Sequence, residues 1–281
     1  MIGFTYRGKH SYRDMGVRSK TVSRPIIPPV RTVDDTVPYI DGTIDFSEQN
    51  GRLYYDDKVL ELELQAVDTD IKHMHKLVSK LAAWLSGGYD ELIMDDMPYV
   101  RWVAKPIDIQ AITPELFGRK GTTTIQFRCK PFNTLIFDST GVPLDSDVLL
   151  DTDIMLDYGA DSEIHIATGQ NTIDYNYIGT APVSPQIVIN GDTKTLSIAL
   201  HGRQLDVSLP LNISSYEGII LDCEGWRCIG CNGDDLTRYT SGDFVELRPG
   251  ENEMTITATG ECDIDMVYNA NYLYGDVGFN D

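Results

Sequence analysis

The chain has 281 residues, of which 42% are hydrophobic, and its 43 acidic residues outnumber 23 basic ones to give a formal charge of −20. This length corresponds to one large domain or two of ordinary size, with enough apolar residues to fill real cores. An acidic surface repels phosphate groups, which argues against a nucleic-acid reader and against binding to anionic membranes.

The N-terminus carries no targeting signal that we recognise. The sequence after Met1 has no basic stretch followed by an apolar one, so it is not interpreted as a signal peptide. No segment approaches the ~18 consecutive apolar residues of a membrane-spanning helix. We therefore expect a protein that is made in a cytoplasm and stays soluble.

The stretch up to about Thr43 is rich in arginine, proline and aspartate. Residues 23–31 read Ser-Arg-Pro-Ile-Ile-Pro-Pro-Val-Arg, and prolines and the residues that precede them cannot continue a helix. We predict an extended arm or loop here. A turn is predicted at Tyr39-Ile-Asp-Gly42.

A strand followed by a helix is predicted next. Apolar and polar residues alternate between Val59 and Val67, which is the period of a half-buried strand. Asp68-Thr-Asp70 then offers capping residues, and apolar residues recur at helical spacing from Ile71 to Leu85. Gly87-Gly88 ends this amphipathic helix of about four turns.

The remainder of the first half reads as strands around turns, at residues 91–94, 99–104, 107–112 and 121–129. Cys129, at the end of the last of them, is interpreted as a small buried hydrophobe. The composition becomes acidic and rich in turn residues from Asn133 to about Asp161. We place a boundary near residues 132–140 and predict domains at 1–135 and 136–281.

The second half contains strand patterns and no long helical period. These patterns lie at residues 162–167, 185–190, 195–200, 204–209, 218–222, 253–258 and 263–268. Turns such as Asn190-Gly-Asp192 and Pro249-Gly-Glu-Asn252 separate them at the spacing of a β-sandwich. The predicted fold class is therefore mainly β.

The order of these segments resembles the siphophage distal tail protein family, often called Dit. In the first half the resemblance is carried by Phe4-Thr-Tyr-Arg-Gly-Lys-His-Ser11, Asp14-Met-Gly-Val17, Arg24-Pro25 and Val37-Pro-Tyr-Ile-Asp-Gly42. It continues through the strand, the helix end Leu81-Ala-Ala-Trp-Leu85, Leu92-Ile-Met-Asp-Asp96 and Phe244-Val-Glu-Leu-Arg-Pro-Gly-Glu-Asn252. The cysteine-rich stretch 223–231 and the acidic segment after Phe132 depart from the family's pattern.

This resemblance implies two domains, an N-terminal β-sandwich with one α-helix and an extended arm, and a C-terminal galectin-like β-sandwich. It implies a homohexameric ring, with two rings sometimes stacked back to back, at the distal end of the tail of the virion. Implied partners are the tail tube protein, the tape measure protein, the tail-tip hub or tail-associated lysin, and receptor-binding or baseplate proteins. DNA would only pass through the ring.

The arm supplies the candidate residues for contacts between ring subunits. These candidates are Arg24, Pro25, Pro28, Pro29, Arg31 and Asp41. A restricted, proline-rich backbone loses less entropy when it becomes ordered on a neighbour. The acidic balance has two readings, a surface that only keeps the protein soluble, or a negative ring lumen that repels passing DNA.

The five cysteines are the strongest local chemical signal. Their odd number in a chain without a signal peptide argues against a disulfide framework. Cys228-Ile-Gly-Cys231 has the spacing of a zinc-binding pair, and a complete site could recruit Cys223 and Cys262. A second close pair is lacking, so buried thiols, or a disulfide formed after release from the host, stay open as alternatives. No cofactor is predicted.

No catalytic residue is predicted. The sequence has no Gly-x-Ser-x-Gly, no phosphate-binding glycine loop and no His-Glu-x-x-His, and its paired carboxylates are typical of solvated turns. The Asp145–Asp153 segment lacks the glycine and distal glutamate of a calcium loop. Trp226 and Tyr239, with Phe244, form either a sugar-stacking platform or part of a core.

The leading hypothesis is a non-enzymatic assembly protein of the tail tip. The first alternative is a carbohydrate-binding adhesion module built on the second domain. The second alternative is a tail-associated hydrolase.

Overall fold

The computed structural model describes residues 3–36, 38–39, 41–48, 51–67, 71–109, 122–136 and 163–274. Within these ranges the backbone forms mostly β-strands with one α-helix, which confirms the predicted fold class. The chain divides into two compact units. The first ends at Thr134 and also contains Leu273 and Tyr274, and the second runs from Leu135 to Tyr272. No helix in the described ranges has the length and apolar character needed to cross a membrane.

One antiparallel sheet forms the first unit. Its strands are β1 (Phe4–Tyr6), β2 (Lys9–His10), β3 (Val17–Ser23), β6 (Lys58–Ala66), β7 (Asp90–Met94), β8 (Met97–Ile109) and β9 (Thr122–Cys129). They hydrogen-bond in the order β2-β1-β7-β8-β9-β6-β3. A separate two-stranded sheet is made by β4 (Asp34–Asp35) and β5 (Ile44–Asp45), and β10 (Asn133–Leu135) follows β9.

The predicted strand and helix are both present. In β6, Leu60, Leu62 and Leu64 are buried while the glutamates between them are partly exposed, as the period of two predicts. The helix α1 (Ile71–Leu85) follows and ends before the two glycines. Its predicted capping residues 68–70 lie outside the described residues.

The sheet curls so strongly that side chains of β1 and β9, three strand positions apart, meet. Strands β7 and β8 separate β1 from β9, so a flat sheet would hold β1 and β9 about 14 Å apart. Nevertheless the rings of Phe4 and Phe127, on β1 and β9, lie 5.7 Å apart, and those of Tyr6 and Phe127 lie 5.4 Å apart. Side chains from one curled sheet therefore fill a single core, as those of a β-sandwich do.

Helix α1 joins this core through Trp84. The indole stacks on Phe4 with 5.4 Å between ring centroids and donates a hydrogen bond of 2.9 Å from Nε1 to the Tyr6 carbonyl. Trp84 is only 4% exposed, and Met74 and Leu81 on the same face of the helix are also buried. The apolar stripe read from the sequence is thus the face that packs on the sheet.

Two five-stranded sheets form the second unit. The first has the order β11 (Glu163–Ile166), β20 (Cys262–Val267), β13 (Gln186–Gly191), β16 (Ile219–Asp222), β17 (Arg227–Gly230). The other has the order β12 (Gly169–Tyr177), β19 (Gly250–Ala258), β14 (Thr195–Leu200), β15 (Arg203–Ser208), β18 (Thr240–Gly242). Ile187 and Ile189 of the first sheet and Ile198 and Ile256 of the second are completely buried. A last short strand, β21 (Asn271–Tyr272), ends the unit.

The structure has strands that periodicity did not reveal. β1, β2 and β3 lie in the N-terminal stretch before the arm, where no strand was predicted, and β12, β17 and β18 were not predicted either. All of these except β1 are edge strands with only one neighbour, where polar residues are tolerated and the alternation is weak. The strand predicted at 99–104 and the described part of the one predicted at 107–112 are one strand, β8, in which a register shift between Pro106 and Asp108 accommodates the proline. Residues 110–112 lie outside the described residues.

Replacing Trp84 tests whether it joins the helix to the sheet. We expect Trp84→Ala to lower the free energy of unfolding by about 3–5 kcal/mol, because it removes a buried ring and its hydrogen bond. Trp84→Phe retains the stacking partner of Phe4 and should cost less. The measurement is urea denaturation followed by circular dichroism. Leu211→Ala, at an exposed position, is the control and should change stability by no more than about 0.5 kcal/mol.

Candidate functional site

The arm begins at Arg24, which is anchored on its own subunit. Its guanidinium donates to both carboxylate oxygens of Asp96, at 2.8 and 3.0 Å, and lies 5.6 Å from the centroid of the Trp102 ring. A further contact of 2.9 Å joins Nη1 to the sulfur of Met97. This charge-assisted contact from Nη2 to both oxygens, together with the cation–π contact, fixes the direction in which the chain leaves β3.

The middle of the arm is held along residues 54–56. Val30 and Tyr55 form an antiparallel bridge, and the Arg31 amide donates to the Tyr54 carbonyl at 2.7 Å. The Asp56 amide donates to the Pro29 carbonyl at 2.8 Å. The Arg31 side chain also pairs with the Asp56 carboxylate at 2.8 Å. Residues 24–33 otherwise form no regular structure, in agreement with the predicted extended arm.

Apolar side chains along the arm and in the β4–β5 hairpin are exposed. Ile26 is 70% and Ile27 is 57% exposed, and they are followed by exposed Val30 and Val33 on the arm and Ile44 and Phe46 at the hairpin. A hairpin of two short strands is at best marginally stable by itself. Such a concentration of exposed apolar residues marks an interaction surface. We call the described residues 24–48 the assembly surface.

The six arm residues singled out from the sequence do not play one role. Arg24 is largely buried against Asp96 and Trp102, and Pro28 is buried. Pro25 is half-buried, while Pro29, Arg31 and Asp41 are exposed. Arg24 and Pro28 therefore position the arm, and the isoleucines between them, which the sequence analysis did not select, are its most exposed apolar residues. Two adjacent isoleucines flanked by prolines were the available signal.

A buried lysine lies at the start of β6. Lys58 is 4% exposed, and its ammonium donates to the Leu273 carbonyl at 3.1 Å. Burial lowers the pKa of Lys58 to about 8, partly opposed by the neighbouring Cys129, while the Arg24 charge lowers it further. Cys129 is a buried thiol, as predicted, and burial raises its pKa to about 12.

The four cysteines proposed as metal ligands are not brought together. Cys228 lies on β17 and is buried, whereas Cys231 lies in the turn that follows this strand and is exposed. Burial raises the pKa of Cys223 to about 12 and those of Cys228 and Cys262 to about 11, so these thiols keep their protons. In the described part of the chain, no three His, Cys, Asp or Glu side chains are arranged to hold a metal ion.

The proposed sugar platform has one exposed aromatic residue. Trp226 is 70% exposed in the turn between β16 and β17, which Asp222 closes by accepting from the Gly225 amide at 2.9 Å. Tyr239 is half-buried, and the Arg238 guanidinium lies 4.6 Å from the centroid of its ring. Phe244 is also half-buried. Trp226 is therefore the part of this group that is free to meet a ligand.

Asn252 explains the Pro-Gly-x-Asn segment. It is completely buried, and its Oδ1 accepts from the Arg248 amide at 2.9 Å and from His201 Nε2 at 2.8 Å. Its Nδ2 donates to the carbonyls of Arg248 and Gly250, both at 2.8 Å. The side-chain amide of Asn252 thus holds the turn that leads into β19. Gly250, the first residue of that strand, adopts a φ of +87°, which favours glycine.

Two protein families match the sequence. The phage tail protein RIFT-related domain matches residues 15–129, and the C-terminal domain of the siphovirus-type tail component matches residues 178–272. These matches cover most of both units, in the order that the sequence motifs indicated. The chain belongs to the siphophage distal tail protein family.

The Dit fold is also found among solved structures. The crystal structure of phage SPP1 Dit, described as a paradigm of the hub adsorption apparatus in phages that infect Gram-positive hosts, is 13% identical with a TM-score of 0.64. The match covers 97% of this chain and 100% of that one. The baseplate of phage P2 in its activated, calcium-bound conformation matches at 10% identity over 96% and 99% of the chains, with a TM-score of 0.40. No curated protein matches the sequence significantly.

Lys58 should make stability depend on pH. Its pKa is about 8 in the folded protein and about 10.5 when unfolded, so between these values the unfolded chain binds more protons and stability rises with pH. Relative to Lys58→Met, the wild-type free energy of unfolding should rise by about 1 kcal/mol from pH 7.5 to 9. Urea titrations at each pH measure this. Parallel pH profiles of the two proteins would contradict the assignment.

Thiol labelling tests the distribution of the cysteines. We expect a maleimide to modify one cysteine rapidly in the folded protein, because Cys231 is exposed and the other four are buried. All five should react in guanidinium chloride. Mass spectrometry counts the adducts, and Cys231→Ser should abolish the fast reaction. Fast labelling that persists in this variant would show that another thiol is accessible.

Proposed function

We propose that this Dit family member forms a homohexameric ring at the distal end of a siphophage tail, joining the tail tube to the baseplate or tail-fibre proteins. The observation that carries the proposal is the assembly surface. Its arm is anchored at Arg24, and apolar side chains of the arm and the hairpin are exposed to solvent in the single subunit. Rings need heterologous contacts that close, and an arm that lies on a neighbour provides one. The family assignment supports the same role.

The ring would surround the exit channel for DNA, with a second ring stacked on it in some assemblies. The formal charge of −20 supports passage without adhesion, because a negative wall repels phosphate. The proposed partners are the tail tube and tape measure proteins, the tail-tip hub or tail-associated lysin, and receptor-binding or baseplate proteins. Assembly would take place in the host cytoplasm. The solved SPP1 Dit, described as part of a hub adsorption apparatus, has the same fold.

We assign no catalytic activity to the chain in this role. The matched families are described as tail proteins and tail components. The hydrolase alternative predicts release of sugar or peptide from host cell walls, which we do not expect from the purified protein.

The second candidate function is carbohydrate binding by the C-terminal unit during host adhesion. The exposed Trp226 indole favours it, since aromatic faces stack on sugar rings. Binding of the protein to a glycan array, lost in Trp226→Ala, would support this candidate. An array without any specific signal would remove it.

The arm offers a direct test of the ring. We expect the wild-type protein to form a ring visible by negative-stain electron microscopy, and Ile26→Asp with Ile27→Asp to form monomers, because two carboxylates replace exposed apolar contacts. Light scattering after size exclusion measures the mass. Leu211→Asp, also at an exposed apolar position, is the control and should assemble normally. A wild-type protein that stays monomeric at all concentrations, with its tail partners added, would contradict the ring.

A further inference from the structure

Three cations cluster around one tyrosine on the first unit, although the chain is strongly acidic. Lys105 Nζ lies 4.6 Å and Lys130 Nζ lies 4.9 Å from the centroid of the Tyr89 ring. Lys105 and Arg128 are directly opposite each other on the antiparallel strands β8 and β9. We call Lys105, Arg128, Lys130 and Tyr89 the basic patch.

The cations of the basic patch lack ion-pair partners within the described part of the chain. Like charges directly opposite on paired strands repel each other. None of the three cations forms an ion pair with a described residue. The Asp57 carboxylate contacts the patch by accepting the Tyr89 hydroxyl at 2.9 Å. Val59, which pairs with Arg128, and Val103, two positions before Lys105, add exposed apolar surface on the same face of the sheet.

The β4–β5 hairpin has the opposite arrangement. Asp34 and Asp45 are directly opposite each other on its two strands, and neither forms an ion pair with a described lysine or arginine. Hydrogen bonds from Ser47 lower the pKa of Asp45, so its carboxylate stays charged. Val33 and Phe46, joined by a backbone hydrogen bond of 2.8 Å, are exposed beside this acidic pair.

The two surfaces are complementary in charge and in apolar character. An acidic cross-strand pair flanked by Val33 and Phe46 matches a basic cross-strand pair flanked by Val59 and Val103. Each pair is unfavourable while its own subunit stands alone, and contact between the pairs would relieve both. We infer that the β4–β5 hairpin of one subunit docks on the basic patch of the next copy of this chain. The inference rests on the proposed ring and names its subunit contact.

A second copy is a better occupant than DNA. The patch is surrounded by a protein of charge −20, which repels a phosphate backbone at long range. The hairpin presents a short, paired set of carboxylates with apolar neighbours, which DNA does not offer. A heterologous contact of this kind uses two different surfaces of one chain and can therefore close a ring.

Charge reversal tests the contact in the full-length protein. The patch variant carries Lys105→Glu and Arg128→Glu, and the hairpin variant carries Asp34→Lys and Asp45→Lys. Each should weaken association at least tenfold in light scattering, because like charges then face each other across the contact. A control with Lys9→Glu and Lys76→Glu, two exposed cations on β2 and α1, changes the charge equally and should assemble normally. Circular dichroism confirms that every variant is folded.

Mixing separates the inference from general effects of charge. In an even-numbered ring that alternates the two variants, every interface again pairs opposite charges, so an equimolar mixture should recover rings that neither variant forms alone. If both variants form rings as the wild type does, the inference is overturned while the ring stands. If mixing fails to restore rings, or if the patch variant loses only binding to double-stranded DNA, the inference is also overturned. A wild-type protein without rings would overturn the ring itself.

Discussion

The first unit depends on how a single sheet closes its own core. One helix covers its apolar face in the described chain, and the sheet must curl until strands far apart in hydrogen-bonding order bring their side chains together. Phe127 meets Phe4 and Tyr6 across two intervening strands, and Trp84 packs onto this cluster from the helix. Without the curl, these rings would be exposed on separate parts of a flat surface, and burial of apolar area would not stabilise the unit.

The arm takes its direction from the same unit. Arg24 lies over Trp102, a buried residue of β8, and pairs with Asp96 in the turn that precedes that strand. These contacts hold the base of the arm in place, while the isoleucines beyond it are exposed. This combination suits assembly, because a pre-positioned segment loses less entropy on binding than a flexible one. The proposed contact between the hairpin and the basic patch also favours assembly. Within one subunit each pair of like charges repels, whereas across the proposed interface the acidic pair would attract the basic pair.

The second unit shows how residues with reactive chemistry serve a structural role. Cys223, Cys228 and Cys262 lie in its interior, where burial raises their pKa values and keeps them as neutral, small hydrophobes. Asn252 satisfies several backbone groups at once and fixes the turn that precedes β19. An amide with its polar atoms satisfied is compatible with a dry core, whereas an unpaired one would be costly.

The sequence by itself determined the elements whose periodicity is local. The alternation in β6, the apolar stripe of α1, the prolines of the arm and the Pro-Gly-x-Asn turn all act over a few residues, so each could be read without a structure. Edge strands such as β12 and β17 were missed because one neighbour leaves their polar residues solvated and blurs the pattern. Tertiary structure alone decided which residues face each other. The curl that joins Phe4 to Phe127 and the pairing of Lys105 with Arg128 depend on strand register and sheet curvature. These are set by the packing of the whole core, which is distributed along the chain and leaves no local signature.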